Sequence, residues 1–199
     1  AFLSFGVAAV AGLAVVAITG HWWLLLVGAA AILAAWYYTG GARPYGYLGL
    51  GEVMVFVFFG LVATVGTAYV ISGEAPWHAW LAGAAVGALA SGILVANNLR
   101  DIPTDRLSGK MTLPARLGDR NSRLFYLALV LLTVLTVVAF AALTTWWALV
   151  ALLAVGLLVE PLRRVLGGAN GRGLIPVIQS TGFAEIGIGL GLLVGIYLA

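Results

Sequence analysis

The sequence predicts an all-α fold, a polytopic transmembrane helix bundle forming one domain over residues 1–199. Three observations predict it. Hydrophobic residues make up 63% of the chain and charged residues 9%, more apolar surface than a water-soluble fold of this length can hide. The apolar residues come in long runs of Leu, Val, Ala and Gly, not in the apolar–polar alternation of a membrane barrel. All ten Lys and Arg residues fall in alternate connections between those runs, as loops on one side of a membrane do. Cysteine is absent, which excludes a disulfide framework and a thiolate metal site.

Seven apolar runs can be read: 1–18, 22–38, 52–71, 76–96, 124–143, 146–160 and 174–198. A hydrocarbon core of ~30 Å takes about 20 residues of α-helix. The sixth run is short by that measure. It is expected to continue past Pro161 towards Leu166, kinked at the proline, with Arg163 and Arg164 reaching the interface on their long stems. The first run starts at Ala1, already in hydrocarbon, with no signal-peptide pattern, so a missing N-terminal part is expected.

The loops 39–51, 97–123 and 161–173 hold every basic residue; the connections 19–21, 72–75 and 144–145 hold none. The positive-inside rule puts the basic loops in the cytoplasm. Trp22, Trp23, Trp77, Trp80, Trp146 and Trp147 all lie at the opposite helix ends, as an interfacial belt would. Two small-residue stripes, Gly187–Gly191–Gly195 and Gly83–Gly87–Ser91, suit close helix packing. They leave the oligomeric state open. The lipid bilayer is the expected surrounding, and no nucleic-acid partner is expected.

One polar island interrupts the hydrocarbon, NNLRDIPTDRLSGKMTLPAR at 97–116. Asn97 and Asp101 share a helix face, and Pro103 is expected to end or bend that helix near Ile102. Asp105 then turns back towards the same place. Carboxylates at a helix C-terminus oppose its dipole, at a cost of ~0.3–1 kcal/mol each, and repel one another at a low-dielectric boundary. A hard divalent cation relieves both effects, and oxygen donors of this kind suit Mg2+. Arg100, Arg106, Lys110 and Arg116 supply donors for phosphate oxygens. The simplest ligand for the whole set is a magnesium-bound phosphate ester or diphosphate. The competing reading is a solvated loop, which accounts for the bases but not for two acids four residues apart.

Glu185 lies inside the last run, where an ionisable side chain is costly and faces a cavity or a partner. It is either a neutral hydrogen-bonded acid or a contact to substrate or its proton. His21 and His78 lie at the outer face, and no metal role is expected for them.

The run NNLRDIPTD (97–105), followed by GKMTL (109–113) and RLG (116–118), resembles the second aspartate-rich motif of the UbiA superfamily of intramembrane prenyltransferases. The loop YTGGARPYGYLGLGE (38–52) resembles that of the superfamily's 1,4-dihydroxy-2-naphthoate polyprenyltransferases of menaquinone biosynthesis. The resemblance extends over nearly the whole chain. It implies nine helices around a central cavity open to the cytoplasmic face, with two aspartate-rich motifs that bind Mg2+ and an allylic diphosphate. Only seven spans and the second motif are present, so the resemblance places the first motif just upstream of Ala1. It also implies a bacterial plasma-membrane location.

The activity so implied is Mg-dependent transfer of a polyprenyl group from polyprenyl diphosphate to 1,4-dihydroxy-2-naphthoate, with loss of diphosphate and carbon dioxide, giving demethylmenaquinol. Alternatives are another aromatic acceptor (homogentisate or 4-hydroxybenzoate), a transporter with a cytoplasmic cation site, and a noncatalytic lipid-binding scaffold. By resemblance, Asp101 and Asp105 hold magnesium with Asn97 as a further oxygen, and Arg100 and Lys110 contact the diphosphate. Arg116 and Arg106 compete for a further phosphate contact. Arg120, Arg123, Arg163, Arg164 and Arg172 fit plain topology signals. In the 38–52 loop, Arg43 is placed to pair with the naphthoate carboxylate, and Tyr38, Tyr45 and Tyr47 to line the acceptor's entrance; an interfacial tyrosine belt is the competing reading. Glu52 reads as an N-terminal helix cap.

Overall fold

The computed structural model describes residues 2–199 as seven helices, with no strand among the described residues. They are α1 (Phe2–Thr19), α2 (Leu24–Thr39), α3 (Gly51–Ser72), α4 (Trp77–Leu107), α5 (Leu113–Leu143), α6 (146–166) and α7 (Ile175–Tyr197). Short 3-10 turns, Tyr45–Leu48 and Gly171–Leu174, lead into α3 and α7. The helices α1, α3, α4 and α5 and the segment Gly171–Tyr197 are each long and apolar enough to cross a membrane, while α2 is shorter. The expected number and order of helices hold.

Two boundaries differ from expectation. Helix α4 does not stop near Ile102 but runs through Pro103 to Leu107. Pro103 lies on the exposed side, and the helix continues past the one hydrogen bond that its missing N–H cannot make. Helix α5 begins not at Leu124 but at Leu113, capped by the Thr112 hydroxyl, which accepts from the Ala115 N–H at 3.4 Å. It breaks at Gly118, whose φ of 78° and ψ of 172° only glycine adopts readily.

The sixth element explains its own shortness. Trp146–Leu158 is a 3-10 helix, continued by the α-helix Val159–Leu166. At ~2.0 Å per residue, a 3-10 helix covers more depth than an α-helix of equal length. Runs this long are uncommon, and the packing partner accounts for it. Ala148, Ala151 and Ala154 lie three residues apart, and three 3-10 steps advance ~6 Å. On α7, Gly187, Gly191 and Gly195 lie four apart, and four α-helical steps also advance ~6 Å. The columns pair antiparallel: Gly195 meets Ala148, Gly191 meets Ala151 and Gly187 meets Ala154. A Cβ on Gly191 or Gly195 would overlap the α6 backbone.

The second stripe does the same between α3 and α4. A Cβ on Gly60 would fall 2.5 Å from the Gly87 Cα and 2.6 Å from the Gly83 carbonyl oxygen, so the two backbones touch. Gly60 lies in a π-helical stretch, Phe56–Val62. The fully buried side chains concentrate in α4, α5, α6 and α7, among them Leu89, Tyr126, Phe140, Leu158 and Ile188. By contrast α1 buries only Val16, and α2 buries no residue.

Candidate active site

Because α4 continues to Leu107, Asn97, Asp101 and Asp105 form one stripe on a single helix. Each step of four residues advances ~6 Å and drifts by about 40°. The acids share that stripe through helical register, with no turn-back of the chain. Arg100 grips Asp101 with two hydrogen bonds, Nε to Oδ1 at 2.7 Å and Nη2 to Oδ2 at 2.8 Å. Asp105 is buried; Oδ1 is 3.4 Å from the Lys110 Nζ, and Oδ2 accepts from the Thr112 hydroxyl at 3.2 Å. The island is thus its own counter-ion, with two carboxylates neutralised by two cations.

Arg106 and Arg116 both donate to backbone carbonyls. Arg106 donates Nε and Nη2 to the Ala115 carbonyl, at 3.2 and 2.8 Å, pinning the end of α4 to the start of α5. Arg116 donates to the Met111 carbonyl at 3.1 Å and packs its stem on Gly49. Arg106 is held through two of its nitrogens, Arg116 through Nε alone. The side chains of Arg100 and Lys110 pair only with the carboxylates of Asp101 and Asp105.

The two loops singled out by sequence meet. The Met111 N–H donates to the Tyr47 carbonyl at 3.1 Å, and the Lys110 ammonium lies 5.7 Å from the Tyr47 ring centroid. Gly49, at φ 82°, admits the Arg116 stem where a side chain would collide. Tyr45 donates its hydroxyl to the Ala34 carbonyl at 2.7 Å, and burial pushes its phenol above the ordinary range, so it stays a donor. Tyr38 stacks edge-on against Tyr45, with 5.6 Å between centroids. These two tyrosines close one end of an apolar cavity of about 580 Å3 between α2 and α3, bordered by Ala34, Met54, Phe58 and Val62. Arg43 is exposed and joins neither group.

Two residues behave differently from their sequence reading. Glu52 is no exposed cap: it is 2% exposed, Oε1 accepts from the Asn98 amide at 2.9 Å, and Oε2 has no partner. Its backbone carbonyl accepts from the Ser91 hydroxyl at 3.0 Å, so residue 52 ties α3 to α4 twice. Arg123 is no plain topology signal. It is buried, bonded twice to Asp119 at 2.6 Å, and donates to the carbonyls of Val165 and Ala169 at 2.5 and 2.9 Å. Sequence position hides both roles, since an acid at a helix start and a base on the positive side look ordinary.

A smaller cavity of about 350 Å3 lies between α3, α4 and α7, and Asn97 and Glu185 both line it. His21 packs on Tyr69 and His78 on Phe140, apart from the acids. Among the described residues no cluster of three or more His, Cys, Asp or Glu side chains forms. A cation held by this stripe would have two carboxylates and an amide oxygen as its protein donors. That set fits magnesium, which takes one or two carboxylates and completes its shell with water and phosphate oxygens.

Comparisons with known proteins bear on the same motifs. The UbiA prenyltransferase family profile matches residues 1–170. The chain is 46% identical over 187 residues to the 1,4-dihydroxy-2-naphthoate octaprenyltransferase of Mycobacterium leprae, covering 94% of this chain and 63% of that protein. The protein of the same name from Mycobacterium tuberculosis is 47% identical over 187 residues, with the same coverage. That of Escherichia coli is 36% identical over 197 residues, covering 96% of this chain and 64% of its own. The chain thus spans less than two thirds of these relatives. No solved structure matches. With the match running across α1 to α6 and through both loops of the site, the chain belongs to the UbiA prenyltransferase family.

Proposed function

We propose that the protein containing this chain transfers a polyprenyl group from polyprenyl diphosphate to 1,4-dihydroxy-2-naphthoate, with magnesium, at the cytoplasmic face of a bacterial plasma membrane. The observation that carries this reading is the exchangeable pairing of Arg100 with Asp101 and of Lys110 with Asp105. Asp101 and Asp105, with Asn97 as a third oxygen, would hold the cation. Bound there, magnesium supplies Lewis-acid stabilisation of the departing diphosphate. Arg100 and Lys110, released from their carboxylates, take phosphate oxygens and stabilise the same charge. Arg106 and Arg116 keep the loop in place.

The chemistry balances without a base. The allylic C–O bond breaks and its electron pair leaves with diphosphate. A ring pair at the carboxyl-bearing carbon forms the new C–C bond, and the pair released with carbon dioxide restores the ring. The chain's role is to align the partners and exclude water from the allylic cation. The apolar walls around Tyr38 and Tyr45, with Met54 and Phe58, suit that exclusion.

The test uses full-length protein in proteoliposomes with polyprenyl diphosphate, dihydroxynaphthoate and Mg2+. Demethylmenaquinol and diphosphate should appear together and stop on adding EDTA. Product from homogentisate or 4-hydroxybenzoate, with none from the naphthoate, would reassign the acceptor.

A further inference from the structure

The cavity between α3, α4 and α7 contains two polar side chains in an otherwise apolar wall that includes Val55, Phe59, Leu94 and Ile178. They are Asn97 and Glu185. Neither side chain makes a hydrogen bond or an ion pair within the chain among the described residues, and each is half-buried, Glu185 inside the apolar segment Gly171–Tyr197 and Asn97 towards the polar end of α4. An unpaired polar group in hydrocarbon is costly, so a ligand or partner is expected to satisfy it. Asn97 lies one helical turn, ~6 Å, below Asp101 on the same stripe. Whatever fills this chamber therefore adjoins the place assigned to the diphosphate.

Two substrates compete for that space. A prenyl tail is hydrocarbon and would leave both Asn97 and Glu185 unsatisfied. A hydroxylated aromatic ring satisfies both and presents its faces to the apolar wall. A cavity of about 350 Å3 is within the range of small-ligand sites, ~300–1,000 Å3. We infer that this chamber seats the acceptor ring, with Glu185 accepting a hydrogen bond from a ring hydroxyl; the inference rests on the prenyl-transfer reading above.

Charge then sets the ring's direction. Arg100 and Lys110 attract the acceptor's carboxylate, which turns towards the motif end. The 4-hydroxyl, on the far side of the ring, points to Glu185. Asn97 serves both levels, since an amide offers an oxygen upward to the cation and an NH2 downward to a ring oxygen. The carboxyl-bearing carbon, where the new bond forms, lies at the motif end.

Equilibrium binding tests this without turnover. Full-length protein is titrated with 1,4-dihydroxy-2-naphthoate, with 1-hydroxy-2-naphthoate (which lacks the 4-hydroxyl) and with geranyl diphosphate plus Mg2+. Wild type should prefer the dihydroxy ring by roughly 3–10-fold, as one hydrogen bond allows. Glu185→Leu should erase the preference, Glu185→Gln should keep part of it, and geranyl diphosphate affinity should stay unchanged in both. An intact preference in the variants overturns the inference, and so does a fall in geranyl diphosphate affinity in its place. Circular dichroism checks folding; if the Leu variant aggregates, the isosteric Gln variant decides alone. A wild type that forms no product yet shows the preference would defeat the transfer reading and support the chamber.

Discussion

Two aspartate–arginine pairs occupy the polar end of the bundle, and they are used differently. Arg123 and Asp119 are bonded twice at 2.6 Å, and the guanidinium also donates to the Val165 and Ala169 carbonyls, joining α5 to the end of α6 and to the α6–α7 connection. Arg100 and Asp101 are also bonded twice, but both side chains are about 30% exposed and the arginine bonds nothing else. The same chemistry serves as a clamp in one place and as an exchangeable pair in the other. What separates them is the number of fixed backbone acceptors around the arginine. Residue type carries none of that information.

The largest effect expected from that contrast is on turnover. Asp101→Asn and Asp105→Asn should each lower product formation by at least ~10²–10³-fold, as loss of a charge-stabilising group at a reacting centre does. Thermal unfolding in detergent should stay near wild type. Near-normal rates in both variants would leave the open pair without a function. Next comes Arg123→Ala, which should cost about 2–4 kcal/mol of stability by orphaning buried carbonyls, read as a lower unfolding midpoint. Its activity per folded molecule should be retained; losing activity at full stability would erase the distinction between the pairs.

Glu52→Leu is intermediate. It removes a buried oxygen with no partner but leaves the buried Asn98 amide without its acceptor, so the net cost should be about 1–2 kcal/mol. The smallest effect belongs to Arg164→Ala. Its i,i+4 bond to Glu160, at 2.8 Å, lies at the surface with both side chains over 40% exposed. The change should be within ~1 kcal/mol and should shrink further with added salt.

The sequence made the spans legible because hydropathy accumulates over 20 residues and tolerates boundary errors. It made the acidic stripe legible because the four-residue spacing of Asn97, Asp101 and Asp105 survives whether or not Pro103 ends the helix. It did not reveal Glu52 or Arg123, whose roles depend on which elements pack over them. The 3-10 form of α6 lay between. Ala148, Ala151 and Ala154 at intervals of three, against glycines at intervals of four, is a mismatch of periods visible in the letters once the two are known to pair. The shared chamber of Asn97 and Glu185 joins residues 88 positions apart, which no local pattern connects.

The α6–α7 seam also limits how this bundle can move. Two racks with different tooth counts and a common pitch mesh only at discrete offsets. Sliding one along the other by less than a full notch, ~6 Å, drives alanine methyls into α7 backbone between the glycines. The seam therefore acts as a detent that resists gradual shear.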